Sequence, residues 1–257
     1  MADITAAFGL DFGTSKSAVT WARADSANPN VIDVMIDGQS DRIDTCVLAD
    51  KEKGRIFIGT KAHEQHRLCQ LNGGAEGLEF FANFKPHISE SAADREAALR
   101  FLKEIRRSEG LLREFEQVPP AESIFIVGCP AAWIADGAAA LIELLLEADF
   151  PPAFAIPEPV GAAFYFLGSK LRAQAFHRDI VVCDWGAGTF DMTVLRSGRL
   201  DIEAGGSFGS KLYGGRLFDD LFYQWVLEAA QRNRRGADVR RLAGLPVEQE
   251  VFHALHA

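Results

Sequence analysis

The chain has 257 residues, a formal net charge of −9 at pH 7 and 48% hydrophobic residues. This length is sufficient for a sizeable core in one large or two medium domains. The acidic balance and the lack of a basic tract argue against nucleic acid as a partner, because duplex affinity depends on many Lys and Arg contacts to phosphates. The apolar stretches are too short to span a bilayer and residues 1–15 lack a secretory pattern, so we expect no membrane partner and a cytoplasmic location.

The first part of the chain is predicted to be rich in β-strands. Apolar or alternating runs, which are typical of strands, occupy residues 5–12, 17–23, 31–36 and 55–58. A polar region that contains glycine follows from Lys61 to Gly77. The opening of the chain is therefore expected to contribute mainly strands.

Helices and strands are predicted to alternate in the next part. Residues 92–117 carry an apolar stripe among charges, which indicates a helix, and residues 123–129 indicate a strand. Asp136 is a plausible N-cap for a helix over residues 138–149, and Pro159 is expected to begin a helix that runs through Leu171.

The last predicted elements form a hairpin, a strand and a helix. Strands are expected at residues 180–183 and 190–195, with a tight turn between them, and a further strand at residues 200–204. A helix is expected from Leu217 to about Asn233. The order of elements predicts an α/β fold in which helices cover a mixed sheet.

The first of two similar motifs, GLDFGTS, follows the opening strand. Gly13 is expected to let the backbone approach an anion closely, because a Cβ there would collide with it. The amides of Thr14, Ser15 and Lys16 could then donate to phosphate oxygens, as successive N–H groups do in anion-binding nests. Asp11 would be repelled by a phosphate, so it is better placed to hold Mg²⁺ through water.

The second motif, DWGAGTFD, repeats this arrangement after the strand at residues 180–183. It supplies Asp184 at the strand end, Gly186 and Gly188 in the turn, and Thr189 as a hydroxyl donor. A strand resumes directly, which excludes a Walker loop and a dinucleotide fingerprint, since both open a helix. One such tetrad alone could be an ordinary hairpin turn, but two in one chain indicate a phosphate clamped between two loops.

Several segments together resemble the nucleotide-binding domain of the seventy-kilodalton heat-shock chaperones, the DnaK-like members of the actin-like ATPase superfamily. The resemblance is carried by both phosphate motifs and by three further segments in the same order: VGCPAAW at 127–133, IPEPVGAA at 156–163 and GGRLFD at 214–219. These matches cover nearly the whole chain.

The resemblance implies an actin-like ATPase (ribonuclease H-like) fold with mixed sheets and flanking helices. Residues 1–177 would form a complete first lobe, with an inserted subdomain at about 32–117, and residues 178–257 the start of an incomplete second lobe. Residues 234–257 are expected to form a charged turn and an amphipathic helix. We therefore expect a fragment of a longer gene product, whose nucleotide affinity on its own would be weak.

The matched positions imply a nucleotide site for ATP or ADP with Mg²⁺. Asp11 and Asp184 would flank the hydrated Mg²⁺, and Asp191 would face a monovalent cation such as K⁺ or the second-lobe phosphate loop. The expected nucleotide contacts are Gly13, Thr14, Ser15, Lys16, Gly186, Ala187, Gly188, Thr189, Gly214 and Gly215.

Three residues are implied in catalysis: Lys85, Glu158 and Asp184. Lys85 would position water and offset charge that develops on the γ-phosphoryl oxygens, and Glu158 would orient water or the metal's ligands. The alternatives are an ordinary surface lysine for Lys85 and an exposed turn residue for Glu158.

The chain also departs from the family pattern. Lys16 replaces a neutral residue, Ala187 replaces a glycine and so narrows the backbone freedom of the second loop, and Gly128 with Cys129 stands where β-branched residues are usual. The helix after Trp133 lacks the polar and basic residues that chaperones use for signalling between domains. Nucleotide chemistry is therefore expected to persist where chaperone coupling has diverged.

The function implied is an ATP-dependent conformational switch with slow hydrolysis. Its partners would be the nucleotide and, through regions outside this chain, a client polypeptide or a co-chaperone. Two alternatives remain open: a small-molecule kinase of the sugar-kinase type from the same superfamily, which shares the Asp-x-Gly-Thr-Ser opening, and a degenerate module that binds without hydrolysis.

Overall fold

The computed structural model places the described residues in three β-sheets and six α-helices. The described residues are 3–24, 30–71, 77–133, 136–168, 179–197, 202–210 and 213–232. The strands are β1 Ala6–Phe12, β2 Lys16–Arg23, β3 Ile32–Asp33, β4 Arg42–Asp44, β5 Cys46–Asp50, β6 Arg55–Ile58, β7 Leu78–Ala82, β8 Ser123–Cys129, β9 Ala153–Pro157, β10 Asp179–Trp185, β11 Phe190–Ser197 and β12 Ile202–Ser210. The helices are α1 Gly59–Leu71, α2 Ala92–Arg106, α3 Glu109–Gln117, α4 Asp136–Glu147, α5 Glu158–Gly168 and α6 Gly215–Arg232.

The largest sheet has the strand order β3-β2-β1-β8-β9, and β4 also pairs with β2. β1 is antiparallel to β2 but parallel to β8, which in turn is parallel to β9. The mixed α/β class predicted from the sequence is therefore confirmed.

The alternation of β1 separates a core face from a cavity face. Phe8 and Phe12 are fully buried, and the Phe8 ring stacks on Phe125 of β8 with 5.0 Å between centroids. Gly9 and Asp11 point to the opposite face, because successive strand residues alternate between faces. The core against α2, α3 and α4 thus fixes the strand whose other face carries the site.

The second sheet has the order β6-β5-β7 and packs against α1. The polar region from Lys61 to Gly77 therefore begins as a helix, which its sequence pattern did not indicate. Only Gly59 and Ala62 of α1 are buried, so the helix has almost no apolar stripe. Its contact with the sheet uses the ring of His66 stacked on Phe80, 4.6 Å between centroids.

The helices predicted at residues 92–117 and 138–149 have different bounds in the structure. The expected helix over residues 92–117 is divided after Arg106, and Ser108 caps α3 by accepting a hydrogen bond from the amide of Leu111 at 3.3 Å. Ser, which caps helix starts well, marks this break. α4 begins at Asp136, two residues before the predicted start.

The third sheet is the meander β10-β11-β12. The predicted hairpin is confirmed, with the amide of Gly186 donating to the carbonyl of Thr189 at 2.9 Å across its turn. The strand predicted at residues 200–204 corresponds to β12, which extends to Ser210, and the helix predicted from Leu217 corresponds to α6, which already begins at Gly215. The proposed lobe boundary at 177–178 and the tail at residues 234–257 depend on parts of the chain that lie outside the described residues.

Every helix in the described part of the chain is too short or too polar to cross a membrane.

Candidate functional site

A cavity of about 590 Å³ lies between the two glycine loops. It is bordered on one side by the loop that joins β1 to β2 and on the other by the turn between β10 and β11. Asp11 near the end of β1 and Asp184 near the end of β10 both line it. Two motifs that are far apart in sequence thus face one common space.

Most of the residues selected from the sequence line this cavity, and four do not. Those that line it are Asp11, Gly13, Thr14, Ser15, Lys16, Lys85, Glu158, Asp184, Gly186, Ala187 and Thr189. The four outside its lining are Gly188, Asp191, Gly214 and Gly215. Their positions show what each contributes to the surrounding structure.

Gly13 is required by the turn itself. A Cβ at this position would lie 2.2 Å from the backbone oxygen of Lys16, a separation that no side chain tolerates. From the sequence, the close approach of an anion is the predicted reason for this glycine. The structure gives a different physical reason, the tight closure of the first loop, whose residues line the cavity.

Gly188 brings the two loops into contact. A Cβ there would lie 2.8 Å from Oγ1 of Thr14 and 3.3 Å from Cγ of Pro86. The absence of a side chain therefore lets the second loop pack directly on the first. Ala187 causes no backbone strain, since the non-glycine residues with positive φ in the described part of the chain are Asn83 and Asp149.

Gly214 and Gly215 support the second loop from behind. A Cβ at Gly214 would lie 2.5 Å from the carbonyl carbon of Gly188. The amide of Gly215 donates to the oxygen of Gly186 at 2.9 Å, and the amide of Arg216 donates to that of Ala187 at 3.0 Å. The first amides of α6 thus donate hydrogen bonds to carbonyls of the second loop. A direct contact of Gly214 or Gly215 with a nucleotide stays a prediction.

The carboxylates at the cavity repel one another. Burial raises the pKa of Asp184, and the charges of Glu158, Asp191 and Asp11 raise it further, against the opposing effect of Lys85. Asp191 is almost completely buried and stands directly opposite Asp184 in the hairpin register. Partial desolvation also raises the pKa of Asp11, whose side chain still contacts solvent, with Lys85 opposing and Glu158 adding to the shift.

This charge distribution fits a divalent cation held through water. Mutually repelling carboxylates at Asp11 and Asp184 would be stabilised by a positive ion between them, and their oxygens are the ligand type that Mg²⁺ prefers. Among the described residues no group of three or more His, Cys, Asp or Glu side chains could hold a metal ion directly. Mg²⁺ usually keeps several of its waters, so two carboxylates are sufficient for such a site.

A buried ion pair lies at the cavity wall. Nζ of Lys85 donates a short hydrogen bond to Oε1 of Glu158, and the two side chains are only 4% and 17% exposed. The ammonium lies 6.0 Å from the ring centroid of Phe12 and 5.8 Å from that of Trp133. Lys85 is therefore not an ordinary surface lysine, and Glu158 is not an exposed turn residue.

Sequence reasoning missed the purpose of Gly128. Gly128 lies near the end of β8, and a Cβ there would lie 3.1 Å from Cγ of Glu158. The glycine therefore leaves space for the glutamate that pairs with Lys85. It also missed Gly9, Thr20 and Ile126, which extend the cavity along the sheet. The period-2 alternation of β1, β2 and β8 was the signal that could have found them.

Comparisons with known proteins agree with this architecture. The chain is 25% identical over 236 residues to the chaperone protein DnaK of Thermosipho africanus and 26% identical over 235 residues to that of Thermotoga neapolitana. Each alignment covers 90% of this chain but 37% of the relative. The chain thus spans little more than a third of the length of these curated relatives.

A solved structure with a similar fold is MreB5 of Spiroplasma citri bound to ADP. The two share a TM-score of 0.58 at 18% identity, over 87% of this chain and 56% of the other. No protein-family model matches the chain. The chain is a divergent domain with the actin-like ATPase fold and a DnaK-like sequence.

Proposed function

We propose that this chain binds ATP with Mg²⁺ in the cavity between the two loops and hydrolyses it slowly, as the nucleotide-binding part of a DnaK-like conformational switch. The observation that carries the proposal is the meeting of both glycine loops, Asp11, Asp184 and a buried Lys–Glu pair at one cavity. The ADP bound to MreB5 and the similarity to DnaK chaperones support it.

The phosphates would be held mainly by the two loops. Backbone amides and hydroxyls of Thr14 and Ser15 would donate to phosphate oxygens from one side, and Thr189 from the other. Because Gly188 packs on Thr14, the loops can contact neighbouring phosphates of one ligand. Asp11 and Asp184 would hold Mg²⁺ through water, and the ion would offset the phosphate charge that these carboxylates otherwise repel.

Hydrolysis would depend on the pair formed by Lys85 and Glu158. The buried ammonium of Lys85 would stabilise negative charge that develops on the γ-phosphoryl oxygens as water attacks phosphorus. Glu158 holds that ammonium in place and can accept a hydrogen bond from the attacking water. The bond from γ-phosphorus to the bridging oxygen breaks, its electron pair stays with ADP, and the water's protons leave with phosphate or solvent.

The larger organisation of the switch is also part of the proposal. The inserted subdomain at about 32–117 would move with the nucleotide state, and Asp191 would face K⁺ or the phosphate loop of the second lobe. A client polypeptide or co-chaperone would bind through other parts of a longer protein, in the cytoplasm. Closure of two lobes around the γ-phosphate is the expected source of the conformational signal.

Calorimetric titration of the full-length protein with Mg²⁺ and ATP, followed by phosphate release, tests the function. We expect 1:1 binding and slow release that Lys85→Ala abolishes while binding and folding persist. Phosphate release without added sugar supports the switch, whereas transfer of phosphate to a sugar would support a kinase. Binding with no turnover would indicate a degenerate module, and no binding would refute the proposal.

A further inference from the structure

Lys16 lies at the rim of the cavity, where a carboxylate from a neighbouring strand holds its ammonium. Lys16 opens β2 and lines the cavity together with Ala18 and Thr20, which lie on the same face of that strand. Its Nζ is 3.1 Å from Oδ1 of Asp44, which stands directly opposite it on β4. The side chains are 62% and 33% exposed, so solvent screens the pair and it can open at little cost.

The backbone that carries Asp44 is attached to the first phosphate loop. The amide of Thr45 donates to the carbonyl oxygen of Ser15 at 2.8 Å. The hydroxyls of Thr45 and Ser17 lie 2.8 Å apart in a buried hydrogen bond. Asp44 therefore has a fixed position beside the loop, and the long side chain of Lys16 is the partner that can move.

Asp44 also faces a second basic group from the inserted subdomain. Nε2 of His63 on α1 lies 4.0 Å from Oδ2 of Asp44. The first residue of α1, Gly59, packs so closely on β4 that a Cβ there would lie 2.3 Å from Cγ1 of Ile43. If Lys16 turns away, Asp44 thus remains solvated and beside His63 rather than isolated.

We propose that the ammonium of Lys16 leaves Asp44 and binds the terminal phosphate of the nucleotide instead. These two residues would then set the preference for ATP over ADP. The inference rests on the proposed function. An ammonium at the end of a flexible stem can follow a point charge, and a terminal phosphoryl group offers more negative charge than the carboxylate. Asp44 competes for the same ammonium and therefore lowers the affinity for triphosphate.

The test is calorimetric titration of the full-length protein with Mg²⁺ and either ADP or a non-hydrolysable ATP analogue. Lys16→Gln should weaken binding of the ATP analogue by about three- to tenfold and binding of ADP by less than about twofold. Asp44→Asn should strengthen binding of the ATP analogue by about two- to threefold. In the double variant, the gain from Asp44→Asn should disappear, because the ammonium for which Asp44 competes with the phosphate is no longer present.

A matched control is the exposed pair formed by Lys51 and Glu79, 2.6 Å apart and 59% and 40% exposed. Lys51→Gln and Glu79→Gln should change neither affinity. Equal effects of Lys16→Gln on both nucleotides, or a gain from Asp44→Asn that persists without Lys16, would overturn this inference while leaving the proposed function intact. A wild-type protein that binds neither nucleotide would overturn both.

Discussion

The ion pair between Lys85 and Glu158, which we propose acts in hydrolysis, should also affect the stability of the nucleotide-free protein when one partner is removed. Removing one partner of a buried pair costs about 3–5 kcal/mol when the remaining charge has no compensation. The Lys85 side chain is 4% exposed and its ammonium lies near the rings of Phe12 and Trp133, whereas the Glu158 side chain is 17% exposed at the cavity. The two single substitutions should therefore have unequal costs.

The larger cost is expected for Glu158→Gln, which removes the carboxylate that is hydrogen-bonded to the buried ammonium and leaves only the more distant charges of Asp11 and Asp184 to offset it. We expect it to lower the free energy of unfolding by about 3 kcal/mol. Lys85→Met should cost about 1–2 kcal/mol, because the carboxylate that remains can reach cavity water and methionine keeps much of the packing. The double variant should lie within about 1 kcal/mol of the wild type, since neither charge is then left alone.

Urea denaturation of the four proteins without nucleotide or Mg²⁺ measures these differences. The same cycle on the exposed pair Lys51 and Glu79 is the control, and its substitutions should each cost less than about 1 kcal/mol. A cost for Glu158→Gln no larger than in the control would refute the reasoning. So would a double variant whose destabilisation equals the sum of the two single costs.

Three further outcomes are expected at the cavity. Asp11→Asn and Asp184→Asn should each abolish hydrolysis. Asp184→Asn should also raise the free energy of unfolding of the ligand-free protein by less than about 1 kcal/mol, because folding partly desolvates this charge; a loss of stability on urea denaturation would contradict this. Folding raises the pKa of Asp184 above its ordinary value of 3.8. The cost of burying its charge is therefore absent below pH 3.8 and develops as pH rises through the folded pKa. The stability gain from Asp184→Asn should accordingly shrink on acidification, which urea denaturation at a series of pH values measures. Gly188→Ala should displace Thr14, whose Oγ1 would lie 2.8 Å from the new Cβ, and weaken ATP binding in calorimetry. Gly161→Ala should not, although Gly161 itself lines the cavity, because its new Cβ would lie 3.6 Å from Cδ1 of Ile156.

The local motifs were predictable from sequence because each depends on neighbouring residues. Strand, glycine turn and hydroxyl occur within a few positions in both loops, so the hairpin of β10 and β11 and the position of Asp184 at its end followed directly. Helix α1 was not predictable, since it has almost no apolar stripe and packs through His66 and Ala62. The contacts that stabilise α1 form only with the folded sheet that contains β5 and β7, so they leave no pattern in the sequence of the helix itself.

Contacts between residues that are far apart in sequence limited how much of the site could be predicted. Lys85 and Glu158 are separated by 73 positions, and no local pattern shows that they form an ion pair. The role of Gly128 likewise depends on the glutamate that approaches it, and that of Gly214 on the turn it supports from behind. A family resemblance identified Lys85, Glu158 and Gly214 as candidates, but only the fold shows that the first two line the cavity and that Gly214 does not.

The central claim, that both loops bind one metal-bound triphosphate, is tested most directly by a crystal structure of the protein with Mg²⁺ and a non-hydrolysable ATP analogue. The account predicts phosphates between residues 13–16 and 186–189, with the metal's waters bound to Asp11 and Asp184. A nucleotide whose phosphates contact only one loop, or lie outside this cavity, would contradict it.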